Sequence, residues 1–66
     1  MNLDVRKDGR RTELYDEDGL HVATIVEQEA AKGKKEGLYA WYTKHNGDHC
    51  ETFQAAYLAI VKELER

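Results

Sequence analysis

Thr52-Phe53-Gln54-Ala55-Ala56-Tyr57-Leu58-Ala59-Ile60-Val61-Lys62-Glu63-Leu64-Glu65-Arg66 is the stretch that decides the fold. Phe53, Ala56, Tyr57, Ile60 and Leu64 recur at spacings of three and four. That spacing puts them on one stripe of an α-helix, with Val61 at its edge. Glu51, Gln54, Lys62 and Glu65 fall on the far side, and Leu58 projects from it. Thr52 is the predicted N-cap, because its hydroxyl can accept from a free amide of the first turn. The spacing therefore predicts a helix over residues 52–65. A helix with one apolar stripe needs a partner surface, and the rest of the chain must supply it.

Upstream, the glycines fall between strand-length segments. Asp8-Gly9 and Asn46-Gly47 are dipeptides favoured in two-residue hairpin turns, where both central residues take positive φ. Asp18-Gly19 closes the acidic run Asp16-Glu17-Asp18, and the chain contains no proline. Residues 3–7, 11–15, 20–27 and 38–44 read as strands, the third being rich in β-branched residues. Residues 49–51 offer a short returning strand. Residues 28–37 read as a basic hairpin loop, with a helical turn as the alternative on the helix formers Glu27 to Lys32. Consecutive strands joined by short turns pair with their neighbours. The expectation is an α+β fold: an antiparallel three- to four-stranded β-meander with one C-terminal α-helix packed on one face. Phe53, Tyr57, Ile60 and Leu64 should meet Val22 and its neighbours in the core.

Length and composition set further bounds. The 66 residues predict one small domain with a thin core, since a chain of this size buries only about 60% of its unfolded surface. Hydrophobic residues make up 41%, too many for a disordered tail. The single cysteine, Cys50, excludes an intramolecular disulfide and suits a reducing compartment. No apolar run approaches the roughly 20 residues of a membrane span, and the first residues lack a signal peptide's pattern. These features predict a complete, soluble, cytoplasmic polypeptide. The net charge of −3 argues against indiscriminate nucleic-acid binding but leaves room for a local basic patch.

No constellation reaches a catalytic or metal signature. His45, His49 and Cys50 are metal-ligating types close in sequence, but a fourth ligand and a paired Cys-x-x-Cys element are lacking. The acidic run lacks the ligand offsets of a calcium loop. Cys50 lies where a small apolar residue suits the approach to the helix. The expectation is a protein that is not an enzyme and takes no cofactor or metal.

Surfaces carry the functional reading. In residues 38–44, Tyr39, Trp41 and Thr43 share one face, and Leu38, Ala40 and Tyr42 the other. Residues 20–27 likewise hold apolar residues on both faces, so one helix leaves an apolar sheet face to be covered by something else. Leu38 and Ala40 suit the space beneath a helix. Tyr39, Trp41 and Thr43 are thus the expected outward, partner-binding set, serving a protein partner or a second copy of the chain in a homodimer. Arg6, Lys7, Arg10 and Arg11 around the first turn, with Lys32, Lys34 and Lys35 in the long loop, are the candidate nucleic-acid-binding residues.

The run Gly37-Leu38-Tyr39-Ala40-Trp41-Tyr42, then Asn46-Gly47, then Cys50-Glu51-Thr52-Phe53-Gln54-Ala55-Ala56 resembles a known pattern. It is similar to small three-stranded-sheet-plus-helix DNA-binding domains, of the AP2-like and integrase amino-terminal arm-binding types. There an aromatic strand, a glycine turn and a phenylalanine lead into an alanine-rich helix. The resemblance covers about the last half of the chain and implies DNA binding by a basic sheet face. The chain also looks like small products of phages and mobile elements. The leading expectation is a non-enzymatic binding module; the alternative is a nucleic-acid-binding domain.

Overall fold

The computed structural model describes residues 3–28 and 39–65. Five strands, β1 (Asp4–Asp8), β2 (Arg11–Tyr15), β3 (His21–Glu27), β4 (Tyr39–Thr43) and β5 (Gly47–Cys50), precede one helix, α1 (Phe53–Leu64). The strands form one antiparallel sheet in the order β1-β2-β3-β4-β5. The fold is α+β, with five strands where three or four were expected. The fifth arises because residues 47–50 return along β4, with Gly47 opposite Tyr42 and Cys50 opposite Tyr39.

Both predicted hairpin turns differ from expectation. At the first, the central residues are Gly9 and Arg10, between the paired Asp8 and Arg11. Only Gly9 has positive φ, at 62°, which is the primed turn that needs glycine at its first central position. At the second, neither Asn46 nor Gly47 has positive φ. Thr43 N donates to Asn46 O at 2.7 Å, and Thr43 Oγ1 accepts from the amides of His45 and Asn46 at 3.3 and 3.2 Å. Gly47 already belongs to β5. A Cβ there would stand 3.1 Å from both Trp41 O and Tyr42 Cβ, so close strand approach explains the glycine.

The helix behaves as its sequence dictates. Thr52 is extended at the N-cap and its Oγ1 accepts from Ala55 N at 3.0 Å. Ala56 and Ile60 are fully buried, while Phe53, Tyr57 and Leu64 pack half-buried around them. Leu58 is exposed. α1 rests on β3, β4 and β5. With Ala56 and Ile60, the core contains Leu14, Ala23, Ile25 and Trp41; Val22 packs at its margin.

The cross-strand register fixes which face is which. Thr12 lies opposite Ile25, and Ile25 opposite Trp41, so these side chains share the helix side. This corrects the expected orientation of β4. Trp41 is only 8% exposed and belongs to the core, and Tyr39 packs edge-on against Phe53 with ring centroids 6.2 Å apart. Small residues on the helix, Ala56 and Ala59, leave the room that large residues on the strand fill. Ala40, expected beneath the helix, lies on the other face opposite Val26 and His49, and Leu38 lies outside the described residues. Residues 29–38, with Lys32, Lys34, Lys35 and the loop-or-helix question, lie outside the described residues.

Candidate binding surface

The face away from α1 is built from the alternate residues of each strand. Arg6, Glu13, Thr24, Tyr42 and Gly47 make one cross-strand row, and Asp8, Arg11, Val26, Ala40 and His49 the next. The third row is Asp4, Tyr15 and His21. His21 joins this face through an irregularity: Leu14 pairs with Ala23 but Tyr15 pairs with His21, so Val22 has no opposite residue. An extra residue in one strand reverses the alternation beyond it. It turns His21 to the open face and leaves Val22 against the core.

Glu13 is the hub of this surface. Its Oε1 accepts from Arg11 Nε at 2.9 Å and from Thr24 Oγ1 at 3.3 Å. Its Oε2 lies 2.8 Å from His21 Nε2, which is also 2.9 Å from Thr24 Oγ1. Thr24 is buried, and these contacts satisfy its hydroxyl. The His21 ring meets Tyr15 edge-on at 5.5 Å, and the Arg6 guanidinium stacks 4.9 Å above the Tyr15 ring. Arg6 is further held by Asp4 at 3.1 Å. The Tyr42 phenol, and then the Glu13 carboxylate, push the Arg11 guanidinium further above its ordinary value. The result is a network spanning β1 to β4 that fixes several long side chains. Tyr42 stands 42% exposed beside it.

The residues singled out from sequence do not converge on this face. Tyr39, Trp41 and Thr43 are on the helix side, the first and last half-buried. Arg6 and Arg11 are on the open face, each paired with a carboxylate. Lys7 pairs with Thr12 across the strands and so belongs to the helix side. Lys7, Arg10, Thr12 and Glu27 line a cavity there with Ile25, Tyr39 and Phe53. The basic residues of the first hairpin are thus divided between two faces. A second groove, at the far end of the sheet, is lined by His21, Val22, Thr43, Lys44, His45, Glu63 and Leu64. Among the described residues, no group of three or more His, Cys, Asp or Glu side chains could hold a metal ion, and no helix is long and apolar enough to cross a membrane.

Sequence reasoning missed Glu13, Tyr15, His21, Thr24 and Tyr42 as a set. The signal was the polar alternation of Arg11, Glu13 and Tyr15 against Thr12 and Leu14, together with a threonine in the middle of an otherwise apolar β3. No protein-family model matches this chain, and no match was found among curated proteins or solved structures.

Proposed function

We propose that the chain is a small, non-enzymatic binding module that engages a protein partner through the sheet face opposite α1. The supporting observation is the exposed Tyr42 beside a prearranged set of Arg11, Glu13, Thr24 and His21. Tyrosine and arginine are the residues that most often dominate protein interfaces, and side chains already fixed lose little entropy on binding. Val26 and Ala40, both half-buried, supply apolar ground next to Tyr42. The partner-binding role first assigned to Tyr39, Trp41 and Thr43 passes in this reading to Tyr42 and its neighbours. A nucleic-acid role is the weaker alternative. The face carries two arginines, Arg6 and Arg11, against three carboxylates, Asp4, Asp8 and Glu13, so it offers a phosphate backbone no net positive charge.

The test is affinity capture with the wild type, Tyr42→Ala, Arg11→Glu and the helix-surface control Leu58→Ala. The expected result is one or more proteins retained by wild type and Leu58→Ala and lost with both open-face variants. Nuclease-sensitive material that falls away steeply with salt, retained by Tyr42→Ala, would instead favour the nucleic-acid reading.

A further inference from the structure

We infer that two copies of the chain pair edge to edge through β1, joining their sheets into one ten-stranded surface. The inference concerns a different surface from the one just proposed and does not depend on it. β1 is an outer strand of the sheet and all five of its residues are exposed. Among the described residues, no backbone hydrogen bond outside the β1–β2 pairing involves β1.

The direction of its free backbone groups follows from one hydrogen bond. Glu27 N donates to Arg10 O at 2.7 Å, so the backbone groups of Arg10 face β3. By alternation, those of Arg11, Glu13 and Tyr15 face β1. Their opposites, Asp8, Arg6 and Asp4, spend their backbone groups on β2. Val5 and Lys7 are left with amide and carbonyl groups pointing outward.

The side chains then select a register. A two-fold axis normal to the sheet keeps like faces together, so open-face residues must oppose open-face residues. Centred on Val5, the pairing sets Asp4 against the second copy's Arg6, Arg6 against the second copy's Asp4, and Val5 against Val5. Centred on Arg6, it sets Arg6 against Arg6 and Asp4 against Asp8. Centred on Asp4, it opposes two aspartates. Centred on Lys7, it sets Arg6 against Asp8 but opposes two lysines. Only the Val5 register therefore pairs opposite charges without opposing like ones, and opposite charges across a strand pair stabilise it while like charges oppose it. The same register buries Val5, which is 44% exposed in the single chain. The helix is no obstacle, because α1 rests on β3, β4 and β5. On the other edge, β5 paired with itself about its two central residues opposes Asp48 to Asp48 or His49 to His49. Charges on an edge strand often serve to prevent pairing; here the registers centred on Asp4, Arg6 and Lys7 each oppose like charges, and the one centred on Val5 does not.

Sedimentation equilibrium from low micromolar to near-millimolar concentration tests this, with circular dichroism to confirm folding. The wild type should show a monomer–dimer equilibrium. Val5→Pro removes an outward amide that β2 does not use, and an edge position tolerates proline. It should weaken the dimer by roughly tenfold or more while leaving the monomer folded. Arg6→Asp should also weaken it, and adding Asp4→Arg to that variant should restore it, because the two charges exchange places. If Val5→Pro does not fold, the charge-exchange series decides alone. A wild type that stays monomeric throughout, a dimer indifferent to Val5→Pro and Arg6→Asp, or a double variant that fails to recover would each overturn the inference.

Discussion

Replacing Trp41 with alanine should cost this protein a large part of its stability. The indole is 8% exposed and lies in the core with Ile25, Ala56 and Ile60. Truncating a buried tryptophan to alanine costs about 3–5 kcal/mol, from lost transfer free energy and the cavity left behind. One term works the other way. Among the described residues Trp41 Nε1 is buried without a hydrogen-bond partner, and an orphaned donor of that kind costs about 1–3 kcal/mol. Removing it returns part of the loss, so the net destabilisation should be about 2 kcal/mol, the difference between the middles of the two ranges. The total stability of a 66-residue chain is itself only about 3–10 kcal/mol. Urea titration followed by far-ultraviolet circular dichroism measures the difference. Trp41→Phe sharpens the test, since it keeps a ring and deletes the orphaned donor; its cost should be clearly smaller than that of alanine. A loss under about 1 kcal/mol for Trp41→Ala would refute the core assignment, because that is the range of exposed-site substitutions.

Two further predictions rest on local geometry. Thr52→Ala removes the acceptor of the Ala55 amide and should cost about 1 kcal/mol in the same titration, with some loss of helical signal. Gly47→Ala places a Cβ 3.1 Å from the Trp41 carbonyl oxygen. It should destabilise by about 1–3 kcal/mol, since the obstructing atom is backbone and cannot step aside.

How much of this was legible in the sequence differs from element to element. The helix was readable to within a residue at each end, because its period and its N-cap are local properties. The bounds of β2 were also correct, being set by flanking turns. The orientation of β4 was not readable. Both of its alternating sets are aromatic or small, and the choice between them is made by β3 and by the alanines of α1 through the register. The open-face network was hidden for a similar reason. Glu13 and His21 come together only because Val22 has no opposite residue, and a bulge leaves no mark in a hydrophobicity pattern. The glycine turns were half readable. Asp8-Gly9 marked the right place one residue early, while Gly47 proved to be a packing glycine in a strand.

The claim on which the functional account turns is that Tyr42, and not the helix surface, meets another molecule. Photo-crosslinking tests it directly, with a photoreactive phenylalanine analogue at position 42 in one variant and at position 58 in another. Both positions are exposed in the folded chain, so they differ in face and not in accessibility. The account predicts a discrete crosslinked protein species from position 42 and none from position 58. Crosslinks from position 58 alone, or from position 42 only to nucleic acid, would contradict it.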